Sequence, residues 1–109
     1  MIDISDFGKL DLRIGTILKA ELLEKANKPA YLLEIDFGKL GIKKSSAQIT
    51  DLYQPNDLIR KQIVAVVNLS QKKIAGITSE VLVLGANSTD QAVVLLEPLK
   101  NISNGTKVG

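Results

Sequence analysis

The run Ile63-Val64-Ala65-Val66-Val67-Asn68-Leu69 constrains this chain more than any other segment. Its β-branched side chains crowd a helix but suit a pleated strand, and a strand apolar on both faces needs protein on both sides. A sheet must therefore be built around it. The other β-like segments are close by in sequence. From Asp11 to Leu22 the residues Leu12, Ile14, Thr16 and Leu18 alternate with Arg13, Gly15, Ile17 and Lys19, and Gly15 predicts a bulge or bend. Tyr31 to Phe37 predicts a second strand and Ile42 to Ala47 a third. Val81 to Leu84 and Ala92 to Leu96 predict a hairpin around Asn87-Ser88-Thr89-Asp90.

Helical signals are few. Ile4 to Leu10 reads as one turn, and Gln48 to Arg60 as a helical stretch broken at Pro55, with a second turn starting at Asn56. Glu24 to Pro29 is a polar loop, and a polar connection from Ser70 to Lys73 leads to Ile74-Ala75-Gly76-Ile77. Short strands with one mid-chain helical insertion and no βαβ rhythm predict an all-β fold. The pattern suits a five-stranded Greek-key OB-fold barrel, with a short helix between strands 3 and 4 and extra terminal segments. With 109 residues, the chain is expected to form a single domain over 1–109.

Composition removes most chemistry. The chain has no cysteine and no histidine, which excludes disulfides, thiol nucleophiles, Cys/His zinc sites and a histidine base. Asp3, Asp6 and Asp11 are spaced for a turn and a strand start, while Glu34 and Asp36 fall on a solvated strand face. No glycine loop for phosphate is present. The expectation is a protein that is not an enzyme, with no catalytic residue, metal site or cofactor. No apolar run approaches the roughly 18 residues of a membrane span, and the N-terminus is acidic and mixed, so no membrane insertion and a cytoplasmic location are expected.

Charge is unevenly placed. The overall net charge is only +2, yet residues 39–80 hold Lys39, Lys43, Lys44, Arg60, Lys61, Lys72 and Lys73 against Asp51, Asp57 and Glu80. Such an excess can form a basic patch without a high overall charge.

Three segments carry a resemblance: Asp11-Leu12-Arg13-Ile14-Gly15, Lys43-Lys44-Ser45-Ser46-Ala47-Gln48-Ile49, and the stretch from Val66-Val67-Asn68-Leu69 through Lys72-Lys73-Ile74-Ala75-Gly76-Ile77 to Ser79-Glu80. In order and spacing they resemble the tRNA-binding OB domain, found as an appendage of methionyl-tRNA synthetases, in synthetase-associated cofactors and as free-standing small proteins. Lys28-Pro29 stands where many members carry His-Pro, and Ser46-Ala47-Gln48 where they carry Ser-Gly-Leu. Both departures are similar to the free-standing CsaA-type branch, described as export-related chaperones.

The resemblance implies two kinds of partner. One is tRNA, held on a basic face by Lys43, Lys44, Ser45, Ser46, Gln48, Asn68, Lys72, Lys73 and Ser79, with lysines attracting phosphate and polar groups reaching sugar or base. The alternative is an unfolded or export-bound polypeptide, held in a groove by Asn68, Ile74, Ala75, Gly76, Ile77, Ser79 and Glu80. The chain has only four aromatic residues, Phe7, Tyr31, Phe37 and Tyr53. Tyr31 and Phe37 share a strand side with Leu33 and Ile35, so they are expected in the core rather than under stacked bases. Recognition of a folded RNA by shape and backbone is the expectation. The two-faced apolar hairpin 81–96 predicts a homodimer, helped by the N-terminal turn and the tail Asn104 to Gly109.

Overall fold

The structure, a computed structural model, describes residues 1–90 and 92–109. A helical turn α1 (Ile4–Phe7) precedes β1 (Leu12–Leu22), β2 (Tyr31–Asp36) and β3 (Ile42–Ala47). A second helical turn α2 (Pro55–Leu58) leads to β4 (Gln62–Val66), β5 (Lys72–Ile74) and β6 (Ile77–Ser79). Four short strands follow, β7 (Leu82–Val83), β8 (Gly85–Asn87), β9 (Val93–Leu95) and β10 (Lys107–Val108). The main sheet runs β3-β2-β1-β4-β7 with β10 also on β1, and every pairing is antiparallel.

The sheet curls into a nearly closed barrel of the OB type, with α2 between the third and fourth barrel strands as expected. Its closing seam joins β3 to the chain between β6 and β7. The Glu80 N–H donates to the Lys44 carbonyl at 2.8 Å. The Lys44 N–H donates to the Glu80 carboxylate at 3.0 Å, and the Ser46 N–H to the Ser79 hydroxyl at 3.1 Å. Side chains thus replace ladder partners where two strands meet at the barrel's edge.

The core is built from the inward sides of β1, β2 and β4. Ile17, Leu33, Ile35, Phe37, Ile63 and Ala65 are fully buried, joined by Leu58 from α2. Each aliphatic side chain of this kind contributes about 1.5–3 kcal/mol on burial. Tyr31 and Phe37 belong to this core, as their side of the strand predicts. The Tyr31 hydroxyl donates to the Tyr53 carbonyl at 2.7 Å, so its one polar atom is satisfied.

Several local expectations are corrected. The alternation along β1 holds to Ile14 and then shifts, burying Gly15 and Ile17 and exposing Leu18. The bulge lies between Ile17 and Lys19, where the register with β2 slips, and not at Gly15. A Cβ at Gly15 would lie 2.6 Å from Ile35 Cγ2 and 2.7 Å from the Phe37 ring, so this glycine serves close packing. Pro55 starts α2 rather than breaking a helix, with Gln54 and Asp57 forming the capping pair in place of Asn56. The hairpin over 81–96 divides, because β7 pairs with β4 while β8 alone pairs with β9.

Both termini are tied down within the chain. Asn68 accepts from the Asp11 N–H at 2.8 Å and donates to the Lys9 carbonyl at 2.8 Å. In α1 the Lys9 ammonium, followed by the Asp3 N–H, holds the Asp6 carboxyl below its usual range. The tail pairs Lys107 and Val108 with Arg13 and Leu12, and Arg13 donates to the Gly105 carbonyl. No helix among the described residues is long and apolar enough to cross a membrane.

Gly15→Ala is expected to cost about 1–3 kcal/mol by overpacking against Ile35 and Phe37. Gly8→Ala, whose Cβ would meet only ordinary contacts, is expected to stay within about 0.5 kcal/mol of the parent. Urea unfolding midpoints of the two variants check this, and equal midpoints would refute the close-packing role of Gly15.

Candidate nucleic-acid interface

Strand alternation decides which side chains of β3 can share a surface. Residues directly opposite in an antiparallel pair lie on one side, and successive residues point to opposite sides. Lys43 and Ser45 lie opposite Ile35 and Leu33, on the core side, while Lys44 and Ser46 lie opposite Glu34 and Leu32, on the outer side. Lys43 is accordingly half-buried and Ser45 fully buried. The Ser45 hydroxyl donates to the Val81 carbonyl at 3.1 Å and so belongs to the seam. The expectation of one face holding 43, 44, 45 and 46 together is corrected: Lys44 and Ser46 share the outer face, and Gln48 beyond them is exposed.

Three further polar candidates are occupied by the fold itself. Both ends of the Asn68 amide tie the α1–β1 connection, at Lys9 and Asp11, to the chain after β4, the Ser79 hydroxyl accepts from Ser46, and the Glu80 carboxylate accepts from Lys44. Ser79 and one oxygen of Glu80 are engaged at the closing seam, and Asn68 at the N-terminal connection. Ser79 and Glu80, named for a peptide backbone, thus hold the seam, and both also line a cleft beside the β5–β6 hairpin.

Of the remaining candidates, Ser46, Gln48 and Lys73 meet at a cleft of about 450 Å³ between the loop before β2, the outer face of β3 and the tip of the β5–β6 hairpin, while Lys44 and Lys72 lie outside it. Lys25 and Lys28 come from the loop, Ser46 and Gln48 from β3, and Lys73 from the hairpin, over a floor that includes Ala30, Ile74 and Ala75. No carboxylate lines the cleft. The three ion pairs found among the described residues are Lys9–Asp6, Arg13–Asp11 and Lys19–Glu34, so none neutralises these lysines. The lining thus carries positive charge with no carboxylate to offset it, the electrostatic character that attracts anions.

Lys25 and Lys28 are absent from the sequence-based site. They lie in residues 1–38, where acids outnumber bases, and a regional tally of charge hides them. The usable signal is local: two lysines three apart in the polar loop that precedes β2. At the other wall, Ile74 and Ile77 pair around Ala75 and Gly76, which have φ of 52° and 84°. Two positive values in a two-residue loop make a type I′ turn. A Cβ on Gly76 would meet nothing within 4 Å, so its positive φ, and not close packing within the chain, is what the fold asks of this glycine.

A second cleft of about 460 Å³ lies on the other flank of the same hairpin. Its lining includes Leu69, Ile74, Val81 and Leu82, with Lys72 and Glu80 at its polar margin. Ser46 and Ile74 contribute to both clefts. Ile77 is half-buried and lines neither.

Known proteins share this architecture. The structure of chaperone CsaA from Bacillus anthracis str. Ames has a TM-score of 0.95 and 56% identity, covering 100% of this chain and 99% of that one. The CsaA chaperone protein from Picrophilus torridus has a TM-score of 0.94 and 48% identity, each chain covered in full. Methionine–tRNA ligase of Methanococcoides burtonii is 37% identical over 107 residues, 97% of this chain but 15% of the ligase. The chain thus spans a small part of the curated ligases it matches. Residues 12–107 match the family described as "Putative tRNA binding domain", a family of binding rather than catalytic domains. With that match over most of its length, the chain belongs to this tRNA-binding domain family.

Proposed function

We propose that the protein binds tRNA, without catalysis, through the lysine cleft between the loop before β2 and the β5–β6 hairpin. The observation that carries this reading is the convergence of Lys25, Lys28 and Lys73 on a cleft lined by no carboxylate, beside Ser46 and Gln48, in a chain of the tRNA-binding family. Lys44, exposed on the outer face of β3, and Lys72 extend the charge beyond the cleft. No aromatic side chain lines the cleft, so the site offers nothing to stack a base upon. It would hold backbone phosphate and ribose on a folded RNA, the mode suited to shape recognition. The reading places the protein in the cytoplasm, where tRNA is.

A second reading is favoured by the apolar cleft formed by Leu69, Ile74, Val81 and Leu82 and by the chaperone name of the B. anthracis relative. In it, an extended segment of an unfolded or export-bound protein lays an apolar side chain into that cleft, beside Ile74.

We also infer a homodimer. Met1, Ile2 and Ile4 are exposed, α1 buries none of its residues, and Leu82, Val94 and Leu96 expose further apolar surface. The tail is already paired with β1, so the contact surface is assigned to the N-terminal turn and the 82–96 region. Two copies would double the basic surface and raise avidity for one RNA.

Bulk tRNA binding is expected to show a log–log salt slope of about −3 per site, for roughly four phosphate contacts. The Lys25→Ala/Lys28→Ala variant should reduce that slope by about 2. Unchanged affinity of this variant at low salt, measured by filter binding, would remove the basis of the cleft reading. Asn68→Ala should instead lower stability by about 0.5–1.5 kcal/mol through the loss of its two exposed hydrogen bonds, with the salt slope kept. For the dimer, light scattering at micromolar concentration should give twice the chain mass, and Ile2→Asp/Ile4→Asp should halve it. A monomeric parent protein would refute the assembly.

A further inference from the structure

A strained residue lies outside both clefts, between α2 and β4. Arg60 has φ of 73°, the left-handed region that suits glycine. Its N–H donates to the Ile17 carbonyl at 2.8 Å, and the Ile17 N–H donates to the Lys61 carbonyl at 2.9 Å. Two residues of this strand therefore face one of β1 before the ladder resumes at Thr16 and Gln62. That is a bulge whose first residue is left-handed, the position at which glycine is the ordinary occupant. The backbone is fixed from both sides and would accept glycine with less strain.

The side chain has no internal task that accounts for this choice. Arg60 is exposed, and it takes part in none of the three ion pairs among the described residues. It borders a shallow cleft of about 350 Å³ lined by Thr16, Gln62, Asn101, Ser103 and Asn104, with no carboxylate in the lining. The polar groups there are held in place. The Asn104 carbonyl oxygen accepts from the Thr16 hydroxyl at 2.6 Å and from Gln62 Nε2 at 3.2 Å, which leaves the Asn104 amide group as a donor. Gln62 is fixed in turn by the Ile102 backbone, whose N–H it accepts at 3.1 Å.

We propose that Arg60 and this cleft form a second phosphate-binding site, which takes one phosphodiester of the RNA held at the lysine cleft. The inference rests on the tRNA reading for its ligand. A guanidinium fork matches two phosphate oxygens at once, and the Asn104 amide group, oriented beforehand through its oxygen, adds a donor to the same phosphate. Strain retained at a residue with an exposed functional group points to use of that group. β1 and β4 stand two and three places from β3 in the sheet. An RNA touching both sites must follow the curve of the barrel, which selects a long or folded molecule over a short single strand.

The test compares the parent protein, Arg60→Gly, Arg60→Lys and Lys25→Ala/Lys28→Ala, by thermal melting and by salt titration of bulk tRNA binding. Arg60→Gly is expected to raise Tm by about 4 °C, because it relieves the backbone. It should also weaken tRNA binding about fivefold at low salt and reduce the slope by about 1. Arg60→Lys should keep the slope and recover less than half of the lost affinity. If Arg60→Gly binds tRNA with parental affinity and slope while the double lysine variant is weakened, the lysine cleft stands and the second site is refuted. If the parent protein binds no tRNA, the tRNA reading fails, and inorganic phosphate then decides about the site itself. Shifts of the Arg60 Nε–H and Asn104 amide NMR signals, absent in Arg60→Gly, would sustain a phosphate site. No shifts would overturn it.

Discussion

The closure of the barrel at β3 is the contact on which the rest of the structure depends. A regular ladder between β3 and the chain at 79–81 would need both to stay straight. Here the Glu80 carboxylate and the Ser79 hydroxyl satisfy amide groups on β3, and the Ser45 hydroxyl reaches across to Val81. Side chains span a gap that backbone groups alone would leave unpaired, an unpaired edge being both costly and prone to wrong pairing. The same contacts anchor the base of the β5–β6 hairpin. The hairpin then stands over the outer face of β3, and the clefts on its two flanks exist because it is held there.

This accounts for what the sequence made legible and what it did not. Alternation in 31–37 placed Tyr31 and Phe37 in the core, and the apolar run at 63–69 placed β4 inside the sheet. The helical insertion between β3 and β4 was readable from the stretch 48–60, though Pro55 as its start and Gln54 as its cap were not. The site was less accessible, because a serine that bonds a ligand and a serine that bonds a strand edge are the same in sequence. Ser45, Ser79, Glu80 and Asn68 all have partners more than 30 residues away. Nothing local announces such pairings. Lys43 differs, since a period of two along β3 already separates it from Lys44. Lys25 and Lys28 differ again, because only the folded loop brings them to Lys73.

The barrel is also secured from behind. β1 is shared along its length, with β4 on one side and first β10, then β2, on the other. Gly15 allows Ile35 and Phe37 to approach where the strand turns, and the C-terminal tail covers the start of β1. The lysine cleft and the Arg60 cleft therefore lie on one continuous framework, and neither hangs on a free loop alone. For a binding protein this limits the ordering required of the protein when it meets a large partner.

The two tyrosines have a further consequence. Tyr31 donates to the Tyr53 carbonyl, and the Tyr53 hydroxyl accepts from the Leu95 N–H at 3.0 Å. The β8–β9 hairpin makes no ladder with the barrel, yet this relay fastens it to the segment packed on β2. Val93 and Leu95 of the hairpin also pack against the core, so the phenol adds a directional tie to an apolar one. Loosening the 48–54 connection would therefore take away the hairpin's side-chain bond to the barrel and leave Val93 and Leu95, packed on the core, to hold it.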